Sequence, residues 1–121
     1  MQVILSIKPN YAMKILNWEK EYELRRNIFK RKVDRVLIYA SAPISKVIGE
    51  FTIDTILFEN INKLWERTKN WSCVDKDFFF SYFSQKEKGY AIKIASVKRY
   101  KKWLCIKESF WSFPPQSFVY V

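Results

Sequence analysis

The stretch Val47-Ile48-Gly49-Glu50-Phe51-Thr52-Ile53-Asp54-Thr55-Ile56-Leu57 decides the reading of the fold. Val47, Gly49, Phe51, Ile53, Thr55 and Leu57 fall on one side of an extended chain, with Glu50, Thr52 and Asp54 on the other. That is the period of two of a half-buried strand.

Upstream, residues 35–40 form an apolar strand that ends in Ser41-Ala42-Pro43, where a proline without an N–H stops the ladder. A charged connection over 27–34 precedes it. Residues 20–26 alternate, with Tyr22 and Leu24 on one face and Glu21, Glu23 and Arg25 on the other, so Glu23 and Arg25 project to the same side. At the amino end, residues 3–7 read as a strand of branched side chains. Pro9 then opens a helix to about residue 17, with Ala12, Ile15 and Leu16 as its apolar stripe and Lys8, Asn10 and Lys14 left for solvent or a ligand.

Downstream, helices are expected over 61–70, on the stripe Ile61, Leu64, Trp65 and Thr68, and over 75–85, capped by Asp75 and carrying Phe78, Phe79, Tyr82 and Phe83. After Gly89, residues 90–94 form a strand, 103–107 one more, and 118–121 close the sheet. This order has no βαβ regularity. It predicts an α+β fold: a mixed or antiparallel sheet of five to seven strands, curled into a small barrel and flanked by about three helices.

The chain has 121 residues and no repeat or Gly/Ser/Pro linker, so residues 1–121 are expected to form one domain. With 49% apolar and 18% aromatic residues, it can bury enough surface to offset chain entropy. Lysine and arginine exceed acidic residues to give a net charge of +10, and there is no histidine to vary it near neutral pH. A polyanionic partner follows, although a basic surface also serves solubility.

No apolar run approaches the roughly 20 residues needed to cross a bilayer, and residues 1–10 carry no leader-like run, so a cytoplasmic location without a membrane partner is expected. Lack of histidine excludes Ser-His-Asp and Cys-His nucleophilic systems. Cys73, in a helix connection, and Cys105, in a late strand, are too few for a zinc shell and are not expected to pair. No cofactor is implied, and any chemistry falls to Lys, Tyr, Ser, Thr or carboxylates.

Ser6-Ile7-Lys8-Pro9-Asn10-Tyr11-Ala12, then Ile15-Leu16, then Lys20-Glu21-Tyr22-Glu23-Leu24-Arg25-Arg26, resembles the opening signature of the ASCH (activating signal cointegrator homology) domain, a family of the PUA-like group. The resemblance continues through Tyr39-Ala40-Ser41-Ala42-Pro43, Val47-Ile48-Gly49-Glu50-Phe51, Gly89-Tyr90-Ala91-Ile92 and Pro114-Pro115-Gln116-Ser117-Phe118, and so covers essentially the whole chain. It implies a β-barrel flanked by helices, with a cleft beside the first helix, proposed across the family to hold RNA or a modified nucleobase. Ser6, Lys8, Tyr11, Lys20, Glu23, Arg25, Arg26, Tyr39, Ser41, Gln116 and Ser117 are the nucleic-acid-binding residues it suggests.

Physically, Lys8, Lys20 and Arg25 offer donors for phosphate, and Tyr11 and Tyr39 offer faces on which bases stack for roughly 1–3 kcal/mol each. Each residue also has a plain structural reading: the tyrosines as core aromatics, Lys8 as a solvated helix start, Arg25 as the partner of Glu23, and Ser41 as the organiser of its own turn. The run Val97-Lys98-Arg99-Tyr100-Lys101-Lys102-Trp103 has the composition of a surface that tracks a nucleic-acid backbone, and equally of a solvated turn between two strands.

Some members of the family remove the acetyl group of N4-acetylcytidine with a lysine near the start of the second strand, a threonine three positions on and a distant glutamate. Lys20 matches the lysine, whereas Glu23 stands where the threonine is expected and Glu50 is a weak counterpart for the glutamate. A lysine serves as base or nucleophile only with a depressed pKa, and Glu21 and Glu23 push the other way. Other members look like ribonucleases relying on tyrosine, lysine and serine, types that Tyr39, Lys46 and Ser41 supply.

Three functions are therefore carried forward. The first is a binder of nucleic acid, RNA ahead of DNA, or of a modified base. The second is a metal-independent hydrolase of RNA or N4-acetylcytidine, with Lys20 and Glu23 as its catalytic pair. The third is a regulatory protein-interaction module with an apolar patch around Trp103, Trp111 and Phe113. The first requires that Lys8, Lys20 and Arg25 gather with an accessible ring on one concave wall.

Overall fold

A computed structural model describes residues 1–121. The elements run β1 (Gln2–Ile7), α1 (Pro9–Leu16), β2 (Tyr22–Arg25), β3 (Arg35–Ala40), β4 (Lys46–Asn60), α2 (Ile61–Thr68), α3 (Lys76–Tyr82), β5 (Lys88–Leu104), α4 (Ile106–Phe110) and β6 (Phe118–Tyr120). The six strands form one mixed sheet in the order β2-β5-β4-β3-β1-β6, with β1 and β3 parallel and the other neighbours antiparallel. This is the expected α+β class, with one helix more than the sequence suggests.

The strict alternation read from residues 47–57 is broken in the folded strand. The register of β4 against β5 shifts between Val47 and Gly49, Thr52 and Ile53, and Ile53 and Thr55. Ile48 and Phe51, three apart, share the main core, while Val47 packs on the opposite face beside Tyr39. Each bulge adds local twist and bends the ribbon. The outcome is a curled sheet whose two edge strands meet: Arg25 of β2 donates through Nη2 to Ser117 Oγ, just ahead of β6, at 2.5 Å. Phe29, in the loop after β2, meets Phe118 of β6 edge to face at 5.9 Å between centroids.

Val3, Leu5, Ile7, Val36, Ile38, Ile92 and Ile94 fill the concave side, closed by Ala12, Ile15 and Leu16 of α1. Behind β1 and β3, Ile106 of α4 covers Ile4, Leu37 and Tyr39. Both faces of β1 and β3 are thus buried, which is why their sequences run apolar without alternation. On the far side, α2 and α3 place Ile61, Leu64, Phe79 and Phe83 over Leu24 and Ala91. Gly49 permits the close seating of α1, since a Cβ there would lie 2.7 Å from the Lys98 carbonyl oxygen and 2.8 Å from Leu16 Cδ2.

Two expectations for the carboxyl-terminal third are corrected. Residues 97–103 form no turn, because β5 runs unbroken to Leu104 along the 15-residue β4. Its second half lacks a partner on one edge, since β2 covers only Tyr90–Lys93, and Lys98, Arg99, Lys101 and Lys102 sit along that open edge. Charged side chains on an unpaired edge keep it from pairing with other chains. The strand expected at 103–107 is instead the end of β5 followed by α4, with Cys105 as its N-cap; both cysteines are free. Trp103, Trp111 and Phe113 are exposed at 45%, 94% and 76%. No helix is long and apolar enough to cross a membrane.

Candidate functional site

The seam where the sheet edges meet holds a hollow of about 680 Å³, within the usual range for small-molecule sites. The turn into α1 supplies Ser6, Lys8 and Tyr11, and the segment through β2 supplies Lys20, Glu23, Arg25 and Arg26. The turn after β3 gives Ser41, and the approach to β6 gives Gln116 and Ser117. Every nucleic-acid-binding residue suggested by the family resemblance, Tyr39 excepted, therefore lines one cavity, and Lys8, Lys20 and Arg25 share its wall.

Tyr39 is a correction. Its ring is buried behind the sheet with Ile4, Leu37, Val47 and Ile106, so it is core and offers no face to a ligand. The trio Tyr39, Lys46 and Ser41 does not converge, because only Ser41 lines the hollow. Glu50 is also elsewhere: it pairs with Arg35 Nε at 2.8 Å and accepts from Tyr100 Oη at 2.8 Å. Glu23 is the only carboxylate lining the cavity.

Glu23 sits between two cations, with Oε1 3.9 Å from Lys20 Nζ and Oε2 3.2 Å from Arg25 Nη1. Arg25 Nη1 also donates to the Ser6 carbonyl at 3.4 Å. Arg25 is thus a strut across the seam as well as a cation facing it. Lys20, 2% exposed, donates to the Ser72 carbonyl at 2.5 Å, and its ammonium lies 5.0 Å from the centroid of the Tyr11 ring. Burial lowers its pKa below the usual lysine value and Glu23 raises it, with burial the larger effect. The carboxylates at Glu21 and Glu23 argue from sequence for a raised value, and desolvation reverses that balance. Arg26 donates through Nη1 to the Tyr82 carbonyl at 3.3 Å, and Lys8 is exposed with no partner of its own.

The wall that sequence reasoning missed is α3. Asp75 caps it, accepting from the Phe78 N–H at 2.7 Å. Phe78, Ser81 and Tyr82 face the hollow, while Phe79 and Phe83 enter the core. The signal was the pair of i, i+4 aromatic couples one residue apart, which define two adjacent helical stripes and not one. Phe78 stacks on Tyr82 at 6.0 Å with 8° between planes and meets Tyr11 at 6.2 Å. Tyr82 Oη donates to the Leu24 carbonyl at 3.2 Å, and burial raises the pKa of both Tyr11 and Tyr82, keeping them neutral donors. Four cations and one carboxylate thus line the hollow together with the rings of Tyr11, Phe78 and Tyr82. No three His, Cys, Asp or Glu side chains converge as a metal site anywhere in the chain.

No protein-family description matches the chain. Among curated proteins it is 30% identical over 91 residues to an ASCH domain-containing ribonuclease of Zymomonas mobilis, covering 74% of this chain and 62% of that one. It is 25% identical over 120 residues to the large ribosomal subunit protein uL22 of Ureaplasma parvum, covering 98% of this chain and 39% of that one. The chain thus spans well under half of that ribosomal protein. Among solved structures, the ASCH protein of Zymomonas mobilis superposes with a TM-score of 0.91 at 27% identity over 99% of this chain and 87% of that one. Serine-to-alanine and tyrosine-to-phenylalanine variants of that protein superpose equally well, at TM-scores of 0.92 and 0.91.

Proposed function

Because the chain belongs to the ASCH domain family, we propose that it acts on RNA by taking an unpaired nucleotide into the seam cleft. One observation carries this reading: Lys8, Lys20, Arg25 and Arg26 share a single hollow with Tyr11, Phe78 and Tyr82. Phosphate is recognised by cationic donors and a base by aromatic faces, and single-stranded RNA presents both together. Lys8 and Arg26 are the phosphate donors, since Lys20 and Arg25 are engaged with Glu23. Tyr11 and the Phe78–Tyr82 stack take the base, with Gln116, Ser117 and Ser41 at hand for its polar edge. The relative named as a ribonuclease supports RNA as the class of partner.

Titration of a labelled single-stranded RNA tests this. Affinity should fall about tenfold or more between 50 and 200 mM salt as several phosphates are neutralised, and Lys8→Ala should weaken it. Indifference to both would count against the reading.

A second reading, hydrolysis in the same cleft, is favoured by Lys20, a buried amine with a depressed pKa facing the cavity. Burial that lowers a lysine's pKa favours the neutral amine that a general base requires. RNA and N4-acetylcytidine incubated with excess protein in a chelator should then be turned over, and Lys20→Ala should stop it while the protein stays folded. No turnover by wild type retires this reading and leaves binding untouched.

A further inference from the structure

A second hollow of about 390 Å³ adjoins the cleft, and Arg26 and Asn27 line both. Its floor is an aromatic pair in the paired ends of β4 and β5: Phe58 lies directly across from Tyr90, with centroids 4.4 Å apart and planes 21° from parallel. Phe58 is half exposed, although a ring of that size on a strand usually turns to the core. Around it stand Arg26, Lys86 and Lys88 against Glu87, a cationic excess. The Lys88 ammonium sits 5.3 Å from the Phe58 centroid. Apart from the shared Arg26, none of these features is used by the cleft reading.

We propose that this hollow is a stacking subsite for the nucleotide next to the one in the cleft, so that the ligand is a single-stranded RNA of at least two nucleotides and not a free nucleoside. Three observations select that occupant. The hollows are adjacent and share Arg26 and Asn27 in their lining, so a strand crossing those two residues reaches both. The rim is cationic, which suits a phosphodiester and not an apolar peptide. The floor is the half-exposed Phe58 ring backed by the partly buried Tyr90, and an aromatic ring takes any base by its π-face. Lys88 is long and solvent-exposed, so an arriving base displaces its ammonium from the ring toward the neighbouring phosphate. Arg26, between the hollows, is placed to hold the phosphate that links the two nucleotides.

The subsite rests on the RNA reading of the cleft, and the test separates them. Affinities of the full chain are measured for the four ribonucleoside 5′-monophosphates and the matching homotetranucleotides, using wild type, Phe58→Ala and Lys86→Ala/Lys88→Ala. Phe58→Ala should weaken tetranucleotide binding about fivefold to a hundredfold and leave mononucleotides within about twofold. The lysine double variant should lower the salt slope for the tetranucleotide by roughly two and leave that for mononucleotides unchanged; it decides the matter should Phe58→Ala fail to fold. Tetranucleotide affinity unchanged in both variants overturns the subsite and spares the cleft. Equal losses for mono- and tetranucleotides overturn it too. No binding of either ligand by wild type overturns both readings.

Discussion

At Glu23 the cleft balances its charges: one buried carboxylate serves Lys20 at 3.9 Å and Arg25 at 3.2 Å. Glu23→Gln leaves both cations in place without their shared counter-charge, and removal of one member of a buried ionic set costs about 3–5 kcal/mol. Urea denaturation near neutral pH should register a loss of that order. Lys20 gives a pH signature of defined sign. Its folded pKa lies below the ordinary 10.5 of an unfolded lysine, so between those values the unfolded chain binds more protons and stability must rise with pH. Below the folded value the full cost of charging the buried amine is present and constant. The unfolding free energy of wild type should therefore rise more steeply toward pH 10.5 than that of Lys20→Met, and equal slopes would refute the burial account. The Glu23–Arg25 contact was legible from residue spacing in a strand. The burial of Tyr39 was not, since β3 is covered on both faces and its apolar run carries no period to say which way a ring turns.

Among the elements, β4 and α3 do most to shape the site. β4 was readable as a long strand, but its bulges were not, because an extra residue in a ladder leaves no mark in composition. The same holds for β5, whose basic second half reads as a turn until β4 is known to run long enough to pair with it. Two substitutions test how these elements seat the cleft. Gly49→Ala drives a methyl against the Lys98 carbonyl and Leu16, and overpacking of this kind costs about 1–3 kcal/mol. Because Leu16 ends the helix that presents Tyr11, RNA affinity should fall alongside the thermal midpoint. Asp75→Ala removes the cap of α3 at about 0.5–2 kcal/mol. Loosening Phe78 and Tyr82 should weaken RNA binding by more than this stability loss alone would, since the protein remains mostly folded.

For the whole molecule, the net charge of +10 includes four cations at the seam and four along the open edge of β5, and the two groups make different predictions. Charge on the edge strand attracts any polyanion and confers no geometry, whereas charge at the seam is joined to rings and to a cavity. Composition displayed the total but not this division, which depends on a sheet curling until its first and last edges touch. The most direct measurement is therefore affinity for a single-stranded RNA dodecamer at 150 mM salt, comparing wild type with two double variants that lose the same charge, Lys8→Ala/Arg26→Ala and Lys101→Ala/Lys102→Ala. The seam account predicts a loss of about tenfold or more for the first double variant and a clearly smaller loss for the second. Equal losses in the two variants would contradict it, because RNA would then be held by charge alone and not by the cleft.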